Sequence, residues 1–253
     1  MTLFRKPCIV TALFVTAATV SAQDSVWSVP VSEDDRPFLL HYPNLENPDG
    51  RVVLTNEFVV LQRLWVPAGE WEGIHSHPGN QIYVHIMGGE WSGRLGGEIE
   101  YWGIASPDGE VGWMDPIPLS AGHESGNTGD TPIDLIYVTL KKAEPIADGA
   151  GHGDQSFSDA FVDLLIENER MIVQRVRLEP GWWTGPHVHT GRQIIIYTKG
   201  GTRSERRGDQ VQGLSKAVFP GSAVWIEGAG TSETHDVGNS GDSPLEFVLV
   251  TIK

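Results

Sequence analysis

The sequence predicts an all-β protein built from two copies of one domain. Residues 56–141 align without a gap to residues 168–253 at a constant offset of 112, and 30 of the 86 aligned positions are identical. A repeat of this length has the size of a domain rather than of a solenoid unit. Within each copy, short β-branched and aromatic runs are separated by Gly, Pro and Asn every eight to twelve residues, which is typical of sandwiches and barrels.

The predicted strands can be placed along the chain from these runs. In the first copy they lie at 59–61, 64–66, 81–87 and 133–140, and each has a partner 112 residues later. Few windows show a helical period. The clearest is Phe157 to Asn168, where Phe161, Leu164 and Leu165 could form one apolar face. We therefore expect a minor helical element that leads into the second domain.

The first 22 residues have the layout of a secretory signal peptide. Arg5 and Lys6 precede an uncharged run from residue 7 to residue 20, and small residues then precede Gln23. A membrane anchor is the alternative, but the run is shorter than the ~20 residues of a membrane span. We expect cleavage after residue 22, a first domain at 23–142, a Gly-, Ala- and acid-rich linker at 143–154 and a second domain at 155–253. The mature protein is then expected to be periplasmic or secreted.

Composition excludes several classes of partner. The chain of 253 residues has 33 acidic and 18 basic residues, a net charge of −15, which argues against nucleic-acid binding. Its one cysteine, Cys8, lies in the predicted leader, so a disulfide framework and a thiolate zinc cluster are excluded. No other segment is long and apolar enough for a membrane span. We expect the partner to be a small molecule.

The histidines recur where a metal would need them. Six of the nine histidines occupy matching positions, three in each copy. In each copy, two of them form an His-x-His pair, and a glutamine follows four residues after the second histidine of that pair. Alternate residues of a strand point to the same face, so each pair aims two imidazoles into one interior. Three imidazoles and one amide oxygen suit a divalent transition metal, Mn, Fe, Ni or Zn, with up to two per chain. The predicted ligands are His75, His77, Gln81 and His123 in the first copy, and His187, His189, Gln193 and His235 in the second.

This pattern resembles the two motifs of the cupin superfamily. The first motif is the His-x-His pair, and the second is a later His-xxx-Asn, here ending at Asn127 and Asn239. Both copies match both motifs, so the mature chain resembles a bicupin. The resemblance implies two tandem antiparallel jelly-roll barrels, each with a metal inside. Tandem cupins mimic the dimer that single cupins often form, so we expect a monomer or a homodimer.

The chain departs from the cupin pattern at one position, because the usual Glu is Gln in both copies. Loss of a carboxylate leaves the metal charge less compensated, which favours Lewis acidity over an oxidised metal. The set resembles that of three-His-plus-Gln cupins such as manganese hydroxynitrile lyases. We expect redox-neutral lyase or isomerase chemistry on a small oxygenated molecule. A cupin dioxygenase and a non-catalytic metal- or sugar-binding protein are the alternatives, since the scaffold hosts many chemistries.

Strand parity predicts the residues beside each metal. If Gln81 faces inward, Tyr83 and His85 do so too, and Tyr197 follows from Gln193 in the same way. His85 is the predicted proton-transfer group because an imidazole titrates near neutrality. Each of these residues could instead be a hydrogen-bonded part of the barrel wall. For the recurring pairs Trp71/Trp183 and Arg94/Arg206, barrel packing and ion pairing are the expected roles.

Overall fold

The computed structural model describes residues 29–43, 51–142, 156–189, 191–227 and 234–253. The predicted signal peptide and linker lie outside these described residues. The described chain is all-β, as predicted, with seventeen strands and two single-turn 3-10 helices at Arg36–Phe38 and Leu119–Ala121. Neither helix has the length or the apolar character required to cross a bilayer.

The first half folds into two sheets that close around a shared interior. One sheet has the order β1-β2-β8-β3-β6, and the second has the order β5-β4-β7. Trp91 of the second sheet packs against Leu135 and Tyr137 of the first, which closes the barrel. The strands are β1 (Arg51–Thr55), β2 (Val59–Val66), β3 (Gln81–Met87), β4 (Gly89–Leu95), β5 (Glu98–Ser106), β6 (Val111–Met114), β7 (Glu124–Asn127) and β8 (Ile133–Leu140).

The second half repeats this arrangement. Its larger sheet has the order β15-β11-β17-β10-β9, and in the smaller sheet β12 pairs with β13 and β14 and also with β16. The order β2-β8-β3-β6 of the first half therefore recurs as β10-β17-β11-β15. The strands are β9 (Phe161–Glu167), β10 (Met171–Leu178), β11 (Gln193–Lys199), β12 (Gly201–Arg207), β13 (Gln210–Val211), β14 (Lys216–Val218), β15 (Ala223–Ile226), β16 (Asp236–Asn239) and β17 (Leu245–Ile252).

The helix predicted at Phe157 to Asn168 is wrong. This segment contains strand β9, which pairs antiparallel with β10. The register shifts where Ile166 faces Val173 but Leu164 faces Gln174, so Leu165 is an extra residue in a β-bulge. The bulge breaks the two-residue alternation and leaves apolar residues at spacings that imitate a helix.

The outer faces of the two large sheets pack against each other. On β3, Ile82 and Val84 point away from the barrel and join Ile194 and Ile196 of β11 in one hydrophobic cluster. The same cluster contains residues of β8 and β17, two eight-residue strands that are buried along their whole length. Burial on both faces explains why these strands read as continuous apolar runs. The two halves therefore share one core.

A reciprocal pair of arginines marks the contact between the halves. Arg63 on β2 donates to Asp134 over 2.8 Å. Its guanidinium also lies against Gly221 of the second half, so closely that a Cβ added to this glycine would be 2.4 Å from it. The equivalent Arg175 donates to the carbonyl of Gly109 in the first half over 2.6 Å. Both pairs are related by the 112-residue offset. The interface thus has the self-complementary form of a two-fold dimer within one chain.

Candidate metal centres

Three histidines meet inside each barrel. In the first, His75 and His77 lie on an extended segment, and the His75 N–H donates to the His123 carbonyl over 3.0 Å. His75 is fully buried, whereas its neighbour Ile74 is 44% exposed, as strand alternation predicts. The ligand nitrogens of the first set lie within 4.8 Å of one another, and those of His187, His189 and His235 do so in the second.

Hydrogen bonds determine which ring nitrogen faces the centre. His75 Nδ1 lies 2.9 Å from the Gly73 carbonyl, and His77 Nδ1 lies 2.9 Å from Gln81 Oε1. Both oxygens can only accept, so each Nδ1 carries the proton and each Nε2 carries a lone pair. These two Nε2 atoms are 3.1 Å apart. Two facing lone pairs repel each other, and a cation bound between them would relieve that repulsion.

The second barrel repeats this arrangement of donors and acceptors. His187 Nδ1 lies 2.9 Å from the Gly185 carbonyl, and His189 Nδ1 lies 2.5 Å from Gln193 Oε1. His187 and His235 are joined by an antiparallel bridge in which each N–H donates to the other carbonyl. The contacts at Nδ1 therefore leave the lone pair on Nε2 of His187 and His189, as they do on His75 and His77.

Burial favours the uncharged form of His75, His77, His123, His187 and His189. Desolvation lowers the pKa of His77 to about 3 and that of His123 and His189 to about 4, each aided by neighbouring histidines. The pKa values of His75 and His187 are also lowered, mainly by burial. A neutral imidazole is the form that binds a metal. The residues of both sites therefore fit a divalent transition metal.

Each of the two glutamines contacts its triad at the Nδ1 atom of one histidine, on the side of the ring away from Nε2. Gln81 Oε1 accepts from His77 Nδ1, and its amide donates to Thr139 Oγ1 over 2.7 Å. Gln193 makes the same contacts with His189 and Thr251. In this arrangement each glutamine fixes the tautomer and orientation of an imidazole. Direct metal ligation by Gln81 and Gln193 stays a prediction.

A buried carboxylate that sequence reasoning missed stands at the first triad. The Glu72 side chain is 5% exposed, and its Oε2 lies 3.5 Å from His75 Nε2. Tyr42 donates to the same oxygen over 2.9 Å, and the Tyr42 ring lies 4.8 Å from the His75 ring. Burial raises the pKa of Glu72 to about 7, and the Tyr42 hydrogen bond partly opposes this. The sequence signal for Glu72 was its difference from Thr184 at the equivalent position of the second copy. Tyr42 gave no such signal, because it precedes the aligned residues 56–141.

The second barrel contains a cavity of about 540 Å³ that reaches its triad. His187, His189 and His235 line it together with Tyr197, Arg203 and apolar side chains. The repeat explains the space. Trp91, Tyr83 and Tyr137 pack inside the first barrel, whereas the equivalent positions of the second barrel hold Arg203, Ile195 and Leu249, which line the cavity.

The three predicted catalytic residues have different surroundings. Tyr197 lines the cavity of the second barrel, and burial raises its pKa. Tyr83 and His85 do face the first interior, with ring centroids 5.5 Å apart. However, His85 is four residues beyond Gln81 on β3, about 13 Å along the strand. Its Nε2 accepts from Trp91 Nε1 over 3.3 Å, which fits a wall residue better than a proton-transfer group.

The recurring Trp and Arg residues are structural, as expected. Arg94 lies 3.8 Å from the centre of the Trp71 ring and pairs with Glu124 over 3.0 Å. In the second barrel, Arg206 covers Trp183 and pairs with Asp236. Each Trp lies over a glycine of the opposite strand, Gly126 or Gly238. These layers close the barrel at one edge.

Comparison with known proteins supports the fold. No family model and no curated protein matches the chain. Among solved structures it is similar to AerE from Microcystis aeruginosa, with 13% identity over 86% of this chain and 99% of that one and a TM-score of 0.55. The cupin 2 conserved barrel domain protein from Leptotrichia buccalis is 12% identical over 80% of this chain and 87% of that one, with a TM-score of 0.47. The chain therefore has the all-β fold of two tandem barrels that the sequence predicted, with a histidine triad inside each.

Proposed function

We propose that this chain is an exported, metal-dependent bicupin enzyme that acts on a small oxygenated organic molecule in its second barrel. The observation that carries the proposal is the cavity of about 540 Å³ whose wall contains His187, His189 and His235. Catalytic metal sites keep a position open for water or substrate, and a cavity that reaches the metal ligands supplies one.

The side chains around this cavity favour a substrate with negatively charged or polarised oxygen. Among the described residues, Arg203, Arg207 and Lys216 line it together with one acid, Glu205, which pairs with Arg203 over 2.9 Å. A bound divalent metal would add Lewis acidity toward a substrate oxygen. The apolar part of the wall excludes water and would hold the carbon skeleton, through residues that include Phe157, Ile195, Phe219, Phe247 and Leu249.

Tyr197 is the candidate proton donor of this cavity. It stands four residues beyond Gln193, as His85 does beyond Gln81, so it would act on a part of the substrate that extends about 13 Å along the strand from the triad. It lines the same cavity, and burial raises its pKa, so the phenol is protonated at neutral pH and can donate. A protonated donor that lines the same cavity as the triad suits a redox-neutral step, such as a lyase or isomerase reaction, in which charge develops on oxygen.

The test uses purified protein without residues 1–22. Elemental analysis should give one to two equivalents of transition metal per chain. Turnover should then be measured, with and without oxygen, on panels of cyanohydrins, uronates, catechols and diketones. Anaerobic turnover that is lost in His187→Ala and retained in His41→Ala supports the proposal, because His41 is an exposed residue outside the motifs.

Other outcomes would overturn it. Oxygen uptake coupled to turnover would point to a dioxygenase, and bound metal without turnover on any panel to a binding protein. Turnover that survives loss of both His75 and His187 would exclude metal catalysis. Export is tested separately, by fractionation of cells that produce the full chain and a chain beginning at Gln23.

A further inference from the structure

The charged side chains of the second cavity are concentrated on one part of its wall. Strand β12 contributes Arg203, Glu205 and Arg207 from alternate positions, and Lys216 of β14 belongs to the same wall. Among the described lining residues, three cationic side chains therefore accompany one carboxylate, a net charge of +2 with the histidines counted as neutral. The whole chain carries a charge of −15. A cationic wall inside so acidic a protein indicates a site for an anion.

The first barrel has uncharged residues at all four of these positions. The equivalents, 112 residues earlier, are Trp91, Gly93, Leu95 and Ile104. Trp91 packs inside the first barrel, and the Tyr101 ring covers Gly93 so closely that an added Cβ would be 2.3 Å from it. Both barrels nevertheless have a histidine triad and the same order of their main strands. Neither the fold nor the triad therefore requires the charges, which belong to the second cavity and its ligand.

Two of the cations stand in an unfavourable arrangement that an anion would improve. In the register of β12 and β14, Arg203 is directly opposite Lys216, and both line the cavity. Like charges directly opposite each other on neighbouring strands destabilise a sheet. Glu205 pairs with Arg203 over 2.9 Å and so balances one positive charge of the two. A carboxylate supplied by a ligand would balance the second.

Arg203 starts from the end of the cavity where Tyr197 stands. It is opposite Asn239 on β16, four residues beyond His235 of the triad, just as Tyr197 is four residues beyond Gln193. Burial raises the pKa of Tyr197, and the positive charge of Arg203 is the next influence and opposes this rise. The backbone of Arg203 is thus about 13 Å along the strands from the triad. The anion site is therefore displaced from the metal ligands along the barrel.

We propose that Arg203 and Lys216 bind the carboxylate group of the substrate, and that the substrate is a carboxylate with an apolar body. A guanidinium presents a planar fork of donors that matches a carboxylate, and an ammonium adds a second positive charge. The apolar side chains of the same cavity contact the carbon skeleton. The oxygen on which the metal acts lies elsewhere on the same molecule. This inference rests on the proposed function for the choice of cavity and adds the class of substrate.

The test measures binding of 4-phenylbutyrate to the purified protein by calorimetry. The neutral 4-phenylbutanamide tests the charge, and butyrate, which lacks the ring, tests the apolar body. The test variant is Arg203→Gln/Glu205→Gln, which removes the ion pair but leaves the net charge of the cavity at +2. Glu205→Gln alone keeps the arginine, and Glu33→Gln/Arg36→Gln removes an exposed ion pair elsewhere as a matched control. Each titration is repeated in chelator, and circular dichroism checks that each variant is folded.

The wild type and the Glu33/Arg36 variant should bind 4-phenylbutyrate at least about tenfold more tightly than either the amide or butyrate, as expected for a charge-assisted contact and a buried ring. Glu205→Gln should bind the acid at least as tightly, and Lys216→Gln should bind it more weakly. Arg203→Gln/Glu205→Gln should lose the preference for acid over amide. Equal affinity of the wild type for acid and amide, or a preference that survives in that double variant, would overturn the carboxylate site. Equal affinity for butyrate and 4-phenylbutyrate would overturn the apolar body.

The titrations in chelator separate this inference from the function proposed above. Binding of 4-phenylbutyrate that disappears in chelator would mean that a metal holds the carboxylate, which overturns the role of Arg203 but leaves metal catalysis in place. Binding that persists in chelator and depends on Arg203 supports the inference, even if elemental analysis finds no metal and the proposed enzyme activity fails.

Discussion

Trp91 and Arg203 occupy the same position of the two repeats, but one fills its barrel and the other lines a cavity. Trp91 packs among Leu135, Tyr137 and Ile133 and donates to His85. Arg203 faces open space beside the second triad and pairs with Glu205. The same backbone therefore supports a filled barrel around one histidine triad and an accessible triad in the other.

Refilling the second barrel should block its metal from small ligands. Leu249→Tyr introduces the residue that the first barrel has at this position, Tyr137, and places its ring in the cavity. We expect azide affinity for the Co²⁺-loaded protein to fall at least about tenfold, a loss of about 1.4 kcal/mol of binding free energy, while metal content is unchanged. Azide titration followed by absorption provides the measurement. Leu214→Tyr, at a position that is 89% exposed and is not part of the cavity wall, serves as the control. Equal azide affinity in Leu249→Tyr would show that the cavity is not the access route.

The shared core between the halves should behave as one cooperative unit. Ile194 is fully buried in the cluster that joins the two sheets. Ile194→Ala should lower the free energy of unfolding by about 2–5 kcal/mol through lost burial and a residual cavity. Ile99→Ala, at a position that is 58% exposed, should change it by less than about 0.5 kcal/mol. Urea unfolding followed by fluorescence measures both, and two separate transitions would mean that the halves unfold independently.

The Trp-over-glycine layers should not tolerate a methyl group. A Cβ at Gly238 would stand 2.5 Å from the Trp183 ring, so Gly238→Ala must displace the indole or the strand. We expect a destabilisation of about 1–3 kcal/mol, typical of overpacking. The matched control is Gly201→Ala, whose Cβ would meet Leu245 at an ordinary 3.4 Å. Thermal melts compare them, and an equal melting temperature for the two variants would contradict this role for Trp183.

The metal-free protein should lose stability as the pH falls below neutrality. Burial lowers the pKa of His77 to about 3 and of His189 to about 4, so between these values and 6.5 the unfolded chain binds protons that the folded chain does not. Glu72, whose pKa is raised to about 7, acts oppositely between pH 7 and 4.5, but a single carboxyl is outnumbered by the buried histidines. Melting temperatures in chelator should therefore decrease from pH 7 to pH 4.

A variant tests the origin of this pH dependence. Glutamine in place of both His77 and His189 removes two groups that titrate in the unfolded chain. The slope of melting temperature against pH should then be shallower than in the parent. A slope that does not change would mean that groups other than these imidazoles govern the acid sensitivity.

Features that repeat or alternate along the chain could be predicted from sequence. Strand bounds at 81–87 and 133–140 agree with β3 and β8, because a strand buried on both faces reads as an unbroken apolar run. The histidine triads followed from the 112-residue offset. The bulge at Leu165 could not be predicted, since an inserted residue destroys the alternation by which a strand is recognised.

Features that depend on tertiary contacts were beyond the sequence. Nothing in the pattern around Gln81 shows that its oxygen contacts the Nδ1 side of His77. Tyr42 reaches Glu72 from 30 residues away and lies outside the aligned repeat, so no second copy drew attention to it. The distance of His85 from the triad depends on how far it lies along β3, whereas strand parity reports only the face.

The reciprocal contacts of Arg63 with Gly221 and of Arg175 with Gly109 have an evolutionary consequence. In a pair of identical chains docked in this way, any mutation would appear in both barrels at once, so neither site could specialise alone. Covalent fusion removes that coupling while keeping the same docking geometry. The first barrel can then acquire a buried carboxylate and interior aromatic side chains while the second acquires smaller interior side chains. Neither change alters the interface between the two halves.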